Sequence, residues 1–285
     1  MAVHDPVIDE QTPAADFTIE QRWDRYTADE HAVWDTLYAR QLEVLRGRAV
    51  SEFDKGLGLL DLGSGGIPDL AVINPKLRAL TGWEVVMVPH LVPDDVFFDH
   101  LANRRFPAGR FIRKRDQLDY LEEPDIFHDI FGHVPMLTLP VFADYMQAYG
   151  QGGQRAQSLG RLKELARLYW YTVEFGLIRQ DGQLQIYGAG IVSSAGESPY
   201  ALESSAPKRI GFDLERIMRT DYRIDDFQDI YFVIDSFDQL LNATQQDFGA
   251  LYQRLAQDNT RHAPGAVLPS DSELAPNTPL SEAAE

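Results

Sequence analysis

The sequence predicts a mainly α-helical protein with short β-strands, an α+β fold held in one domain over residues 17–262. Three observations carry that expectation. Apolar residues recur at helical spacing through three long stretches. The β-prone runs are short and do not alternate regularly with those helices, which argues against a doubly wound parallel sheet. No polar, proline-rich linker interrupts residues 17–262, and no internal repeat is visible.

Taken in chain order, residues 1–16 are acidic and proline-dotted and predict a flexible N-terminal arm. The stretch TADEHAVWDTLYARQLEVL opens with a capping box, Thr27 and Glu30. It sets Val33, Trp34, Leu37, Tyr38, Leu42 and Leu45 on one face. LLDLGSGGIPDL (59–70) imitates the glycine-rich turn of a nucleotide or methyl-donor site, with Glu84 at a suitable distance. Ile67 stands where the third glycine belongs and Pro68 follows, so a tight loop with a helix starting at Pro68 is the expectation. Strands are expected at 83–88, 110–115, 183–192 and 230–234. Helices are expected at 160–178 and 236–257. Residues 263–285 predict a disordered acidic tail, because 264–285 hold four acids, four prolines and no base.

Composition narrows the function. The formal net charge is −18, which argues against nucleic acid and anionic membranes as partners. There is no cysteine, so neither a disulfide framework nor thiolate chemistry is available. The N-terminal stretch lacks the apolar segment of a signal peptide, and no apolar run approaches the ~20 residues that span a bilayer. A cytoplasmic protein is expected.

The chemistry concentrates in DIFHDIFGHVP (125–135). His128 and His133 are five residues apart, and on a regular α-helix such positions diverge by about 140°. They can share a metal if the helix begun at Pro124 ends near 132, freeing His133 to turn back. Glu174 falls inside the apolar stripe of the 160–178 helix. A carboxylate there needs an arginine partner, a proton or a metal. Two imidazoles and one carboxylate would form a facial triad with open positions, the set used by non-haem Fe(II) oxygenases.

EPDIFHDIFGHVP, YWYTVEFGL and YGAGIVSSAGE together resemble the pterin-dependent aromatic amino acid hydroxylases, and the likeness runs in order over most of residues 25–250. Among them the chain looks most like the bacterial members that hydroxylate phenylalanine at C4. The resemblance implies a single catalytic domain of that type, with Fe(II) on His128, His133 and Glu174. It implies a tetrahydropterin, tetrahydrobiopterin or a related one, as cofactor and O2 as co-substrate in converting L-phenylalanine to L-tyrosine. Arg113 in FIRKRD matches the arginine that grips the substrate carboxylate, a task suited to its planar fork. Pro124 and Trp170 match pocket walls, Ser193 a serine near iron and substrate, and Tyr169 a tyrosine beside the iron. Phe97 aligns with the aromatic that stacks on the pterin. Leu91, Val92 and Asp129 align with further pterin contacts.

The chain departs from animal members at Leu121, where they carry a threonine near the substrate, and at Asp129, where they carry glutamate. No regulatory domain is visible before residue 17 and no oligomerising helix after 262, so a monomer is expected. Three alternatives stand beside this reading. One is a tryptophan hydroxylase of the same family, because a few side chains set ring preference. A second is an HD-type metal phosphohydrolase, in which Asp129 ligates metal and His100 contributes. The third is a non-enzymatic iron- or pterin-binding protein.

Overall fold

A computed structural model describes residues 5–119 and 123–279. The chain divides into two compact units, Met1–Glu43 with Ser51–Arg155, and Val44–Val50 with Ala156–Glu285. Helices predominate and the strands are short, as the sequence predicts.

The first unit holds α1 (Pro6–Asp9), α2 (Ala28–Leu45) but for its last two residues, α3 (Ser51–Leu60), α4 (Leu70–Thr81), β1 (Glu84–Val88), α5 (Asp94–Ala102), β2 (Arg105–Gly109) and α6 (Pro140–Ser158) but for its last three. The capping box of α2 forms: the Glu30 carboxylate accepts the Thr27 N–H at 2.7 Å, and the Thr27 hydroxyl accepts the Glu30 N–H at 3.2 Å. Val33, Trp34, Leu37 and Leu45 of its apolar face are buried, while Leu42 is exposed. The GSGG stretch follows a helix, α3, and not a strand, which removes the nucleotide-turn imitation. The Gly66 N–H donates to Asp35 and the Ile67 N–H to His31, so α2 holds this loop. Helix α4 begins at Leu70, two residues later than expected, because Asp69 caps it by accepting the Ala71 N–H at 2.8 Å.

Strand β1 lies where expected, but its partner does not. The strand expected at 110–115 is instead β2, which runs parallel to β1 from Glu84↔Arg105 to Val88↔Gly109. Pro107 disguised it, since proline cannot donate to a ladder and reads as a strand breaker.

The arm expected at 1–16 is docked over its described residues. Val7 and Ile8 are buried, and the Asp5 carboxylate pairs with Arg110, which is 1% exposed. Arg110 also stacks over Tyr26, 4.2 Å from the ring centre, and donates to the Gln21 carbonyl at 2.8 Å. A buried guanidinium needs such partners, and the polar arm supplies one.

The second unit holds α7 (Leu162–Tyr169), β3 (Leu177–Gln180), β4 (Gln183–Ile186), α8 (Ala189–Val192), α9 (Glu197–Glu203), β5 (Lys208–Gly211), α10 (Leu214–Met218), β6 (Ile230–Ile234), α11 (Phe237–Thr244) and α12 (Phe248–Gln257). Its sheet has the order β4-β3-β6-β5, antiparallel between β3 and β4 and parallel elsewhere. All five residues of β6 are buried at its centre. The helix expected at 160–178 stops short, and its last residues become β3. The strand expected at 183–192 ends at Ile186 and gives way to α8. The helix expected at 236–257 is two helices, because Asp247 caps a new start by accepting the Gly249 N–H at 2.9 Å.

Described residues of the segment expected to be a disordered tail make specific contacts with this unit. Asp271 pairs with the buried Arg216 at 3.0 Å. Ser272 and Leu274 exchange backbone hydrogen bonds with Gly211 and Arg209, covering the free edge of β5. Asn277 bonds both backbone groups of Leu184. Low hydrophobicity predicted disorder here, but an open sheet edge and one buried arginine provide partners that composition does not register. No helix among the described residues is long and apolar enough to cross a membrane.

Glu197, at the head of α9, is 5% exposed. It accepts the Tyr231 hydroxyl at 2.7 Å and the Gln228 N–H at 3.2 Å. Burial pushes its carboxyl up to about 7, against those two hydrogen bonds. Between the ordinary value of 4.5 and about 7 the folded chain keeps a proton that the unfolded chain has released. Stability from this group is therefore complete below the unfolded value and falls as pH rises through the folded one, by on the order of 3 kcal/mol. Glu197→Gln should gain thermal stability over the parent as pH rises from 4.5 to 8. A difference in Tm that does not change with pH would refute this.

Candidate functional site

The segment Phe127–His133 is wound as a π-helix, with hydrogen bonds closing i to i+5. Such a turn sets residues five apart above one another. The expectation that the helix stops near 132 so that His133 can turn back is therefore corrected: the winding itself brings the histidines together. Their Nε2 atoms face each other at 3.2 Å, with the rings at 86°. The winding is held by aromatic packing. Phe127 stacks on Phe131 at 4.7 Å, Trp34 meets Phe127 edge-on, and Tyr38 and Phe53 meet Phe131 edge-on. Phe106 of β2 backs the His133 ring at 4.9 Å.

A second π-turn, Trp170–Glu174, ends α7. Gly188 packs against the backbone behind it. A Cβ on Gly188 would lie 2.4 Å from the Gly176 nitrogen and 2.5 Å from the Glu174 carbonyl oxygen, so only glycine fits. This accounts for a glycine of YGAG: it lets two backbone segments close together and fixes the acid's position.

His128, His133 and Glu174 each offer one ligand atom, and these atoms all lie within 4.8 Å of one another. The donor chemistry fits a divalent transition metal. Two nitrogens about 2.1 Å from one ion and at right angles sit about 3 Å apart, matching the histidine pair. His133 is buried, and His128 and Glu174 are half-buried.

Asp129 stands outside this set. Its carboxylate accepts the Gly109 N–H at the end of β2 at 2.7 Å. His100 is buried on α5 with Nε2 2.9 Å from the Asp16 carbonyl oxygen. Neither serves as the phosphohydrolase alternative requires.

Arg113 is buried, 8% exposed. Its Nε and Nη2 donate to the two carboxylate oxygens of Asp125 at 2.9 and 2.8 Å. Asp125 is fully buried and also accepts the backbone N–H groups of Arg113 and His128, at 2.9 and 3.0 Å. One carboxylate thus ties Arg113 to the start of the histidine turn. Sequence reasoning missed Asp125, although an acid three residues before the first histidine carried a readable capping signal.

Trp170 is half-buried and stacks on Tyr222 at 4.3 Å and 15°. Its indole N–H donates to Gln228 Oε1 at 2.9 Å. Tyr169 is half-buried at the end of α7, and Pro124 is half-buried just before Asp125. The Ser193 hydroxyl donates to the Ala189 carbonyl at 2.7 Å, following α8. Phe97 is half-buried on α5, Val92 is half-buried, and Leu91 is 79% exposed. Leu121 lies outside the described residues.

Comparison with known proteins gives a consistent result. Residues 15–258 match the family model described as biopterin-dependent aromatic amino acid hydroxylase. The phenylalanine-4-hydroxylase of Caulobacter vibrioides is 69% identical over 241 residues, 85% of this chain and 82% of that protein. The phenylalanine-4-hydroxylase of Chromobacterium violaceum is 58% identical over 258 residues, 90% and 86% of the two chains. A crystal structure of the latter with iron(III) and 7,8-dihydrobiopterin superposes with a TM-score of 0.90 at 54% identity, over 96% of this chain and all of that one. Another, with iron and phenylalanine bound, gives 0.89 at 54% identity, over 94% and 98%.

Proposed function

The chain belongs to the biopterin-dependent aromatic amino acid hydroxylase family, and from that premise we propose that it is a phenylalanine 4-monooxygenase, converting L-phenylalanine and O2 to L-tyrosine with Fe(II) and a tetrahydropterin. The observation that carries this reading is the convergence of His128, His133 and Glu174, a donor set suited to Fe(II) with open positions. The relatives named above support phenylalanine over tryptophan as the substrate.

In this mechanism His128, His133 and Glu174 hold the iron. When bound, the iron would activate O2 with two electrons drawn from the tetrahydropterin, one oxygen atom entering at C4 of the ring and the other leaving on the oxidised pterin as a hydroxypterin. The chain itself orients and encloses. Arg113, fixed by Asp125, keeps Nη1 to meet the substrate carboxylate. Trp170, held by Gln228 and Tyr222, and Pro124 wall the aromatic ring, with Ser193 and Tyr169 beside the metal. Phe97 stacks on the pterin, and Leu91, Val92 and Asp129 border it. The exposure of Leu91 suits a surface that a ligand covers. Fe(II) and a tetrahydropterin both persist in a reducing compartment, which favours the cytoplasm. The chain works as a monomer, with light scattering expected near 32.2 kDa.

The test is iron-loaded protein with tetrahydropterin, O2 and each aromatic amino acid, analysed for hydroxylated product. Tyrosine from phenylalanine is expected to dominate, and a comparable or higher kcat/KM with tryptophan overturns the assignment. A separate variant tests the pterin face. Phe97→Ala should raise the pterin KM several-fold, because stacking is worth on the order of 1 kcal/mol beyond area, and should leave the fold intact. If the variant unfolds, Phe97 is a core residue.

A further inference from the structure

The proposed function leaves unused a cavity of 520 Å³ in the second unit. Lys163, Arg167, Arg219 and Arg261 line it, and Glu164 is the one acid among its lining residues. That acid is already paired with Arg161 at 3.0 Å. Four cations around one hollow run against a chain whose net charge is −18.

Two of the four are fixed by the fold. Arg167 is held by Asp221 at 3.0 Å and by the Met218 carbonyl at 3.0 Å. Arg219 is held by Glu215 at 2.8 Å and by the carbonyl groups of Asp258 and Thr260. The other two retain donors. Arg261 bonds Asp221 through Nη2, leaving Nε and Nη1, and the Lys163 ammonium has no ion pair or hydrogen bond among the described residues. Helix α7 starts on the same wall without a side-chain cap, so its first-turn N–H groups reinforce the positive potential that the cations set up.

The opposite requirement is also met. Leu162, Met218 and Leu255 give the cavity an apolar wall. Its volume lies in the range of small-molecule pockets, and an inorganic ion would fill only part of it. We propose that this cavity binds a small organic anion, a phosphate or carboxylate head on an apolar body, with Lys163 and Arg261 as its mobile clamps. The proposal rests on the cavity alone and stands or falls separately from the hydroxylase reading.

The test is isothermal titration calorimetry of the iron-loaded chain with hexyl phosphate, hexanoate, inorganic phosphate and hexanol. At least one alkyl anion should bind with one-to-one stoichiometry, roughly tenfold or more tighter than inorganic phosphate, and hexanol should not bind. A preference between the two alkyl anions identifies the head group. Lys163→Gln and Arg261→Gln should each weaken that binding by roughly tenfold, and added salt should weaken it further. Both variants lie on the surface and should keep the parent activity at saturating phenylalanine. The proposal is overturned if neither alkyl anion binds at millimolar concentration, if inorganic phosphate binds as well as they do, or if both variants bind like the parent.

Discussion

Glu174→Ala should lose most of its iron under a chelator challenge that Asp129→Asn survives. Removing Glu174 takes away the only anion of the ligand set and leaves the cation on two neutral imidazoles in a half-buried place, where charge is poorly screened. Loss of a residue that merely orients a ligand costs roughly 10–100-fold in metal affinity, so loss of a ligand should exceed ~100-fold. Asp129 follows His128 directly in sequence, yet its carboxylate is turned to the Gly109 N–H. Asparagine can still accept that hydrogen bond through its amide oxygen, so the iron stays while turnover falls. His128→Ala and His133→Ala should empty like Glu174→Ala. The measurement is iron per chain after identical chelator exposure. An Asp129→Asn protein that comes out empty beside a loaded Glu174→Ala protein would restore the phosphohydrolase reading and remove the function proposed here.

The three residues proposed to hold iron were legible because the chemistry selects residue types, and two histidines with a misplaced carboxylate stand out in a sequence. How they meet was not legible. A period of 3.6 residues describes the α-helix, and both turns that carry these residues leave it: Phe127–His133 and Trp170–Glu174 are π-wound. The Phe127–His133 turn packs Phe127 and Phe131 against Trp34 and Phe53, a set of contacts that no local pattern records. The glycines of YGAG were readable as a motif, but their reason, the close approach of Gly188 to the backbone of Glu174 and Gly176, is a contact between segments. The same limit explains the termini. Asp5 and Asp271 lie in stretches whose composition predicts a flexible arm and a disordered tail, and each pairs with a buried arginine. Acids that complete a buried pair from far along the chain are invisible to composition. Strand β2 was missed for a different reason, since Pro107 sits within a ladder where a residue-by-residue reading excludes it.

Arg113 illustrates the point most sharply and yields the second large effect. Arg113→Ala should cost on the order of 2–4 kcal/mol in phenylalanine binding if its guanidinium grips the substrate carboxylate. It should also destabilise the fold, because Asp125 is fully buried and would keep only the N–H groups of Arg113 and His128 as partners. Breaking one side of a buried pair typically costs about 3–5 kcal/mol. Asp125→Ala should match it: the arginine remains, but unpaired and unaimed, so the phenylalanine KM rises while the pterin KM changes little. The double variant should be less destabilised than the sum of the two, since one defect removes the other's partner. Arg113→Lys separates charge from geometry. A single ammonium cannot fork across Asp125 and also meet a substrate carboxylate, so this variant should fold better than Arg113→Ala and still bind phenylalanine poorly. The measurements are urea unfolding of the four variants and steady-state kinetics at saturating pterin. An unchanged phenylalanine KM in both Arg113 variants refutes the carboxylate role. Strict additivity in the double variant refutes the buried pair as the device that aims Arg113 and anchors the histidine turn.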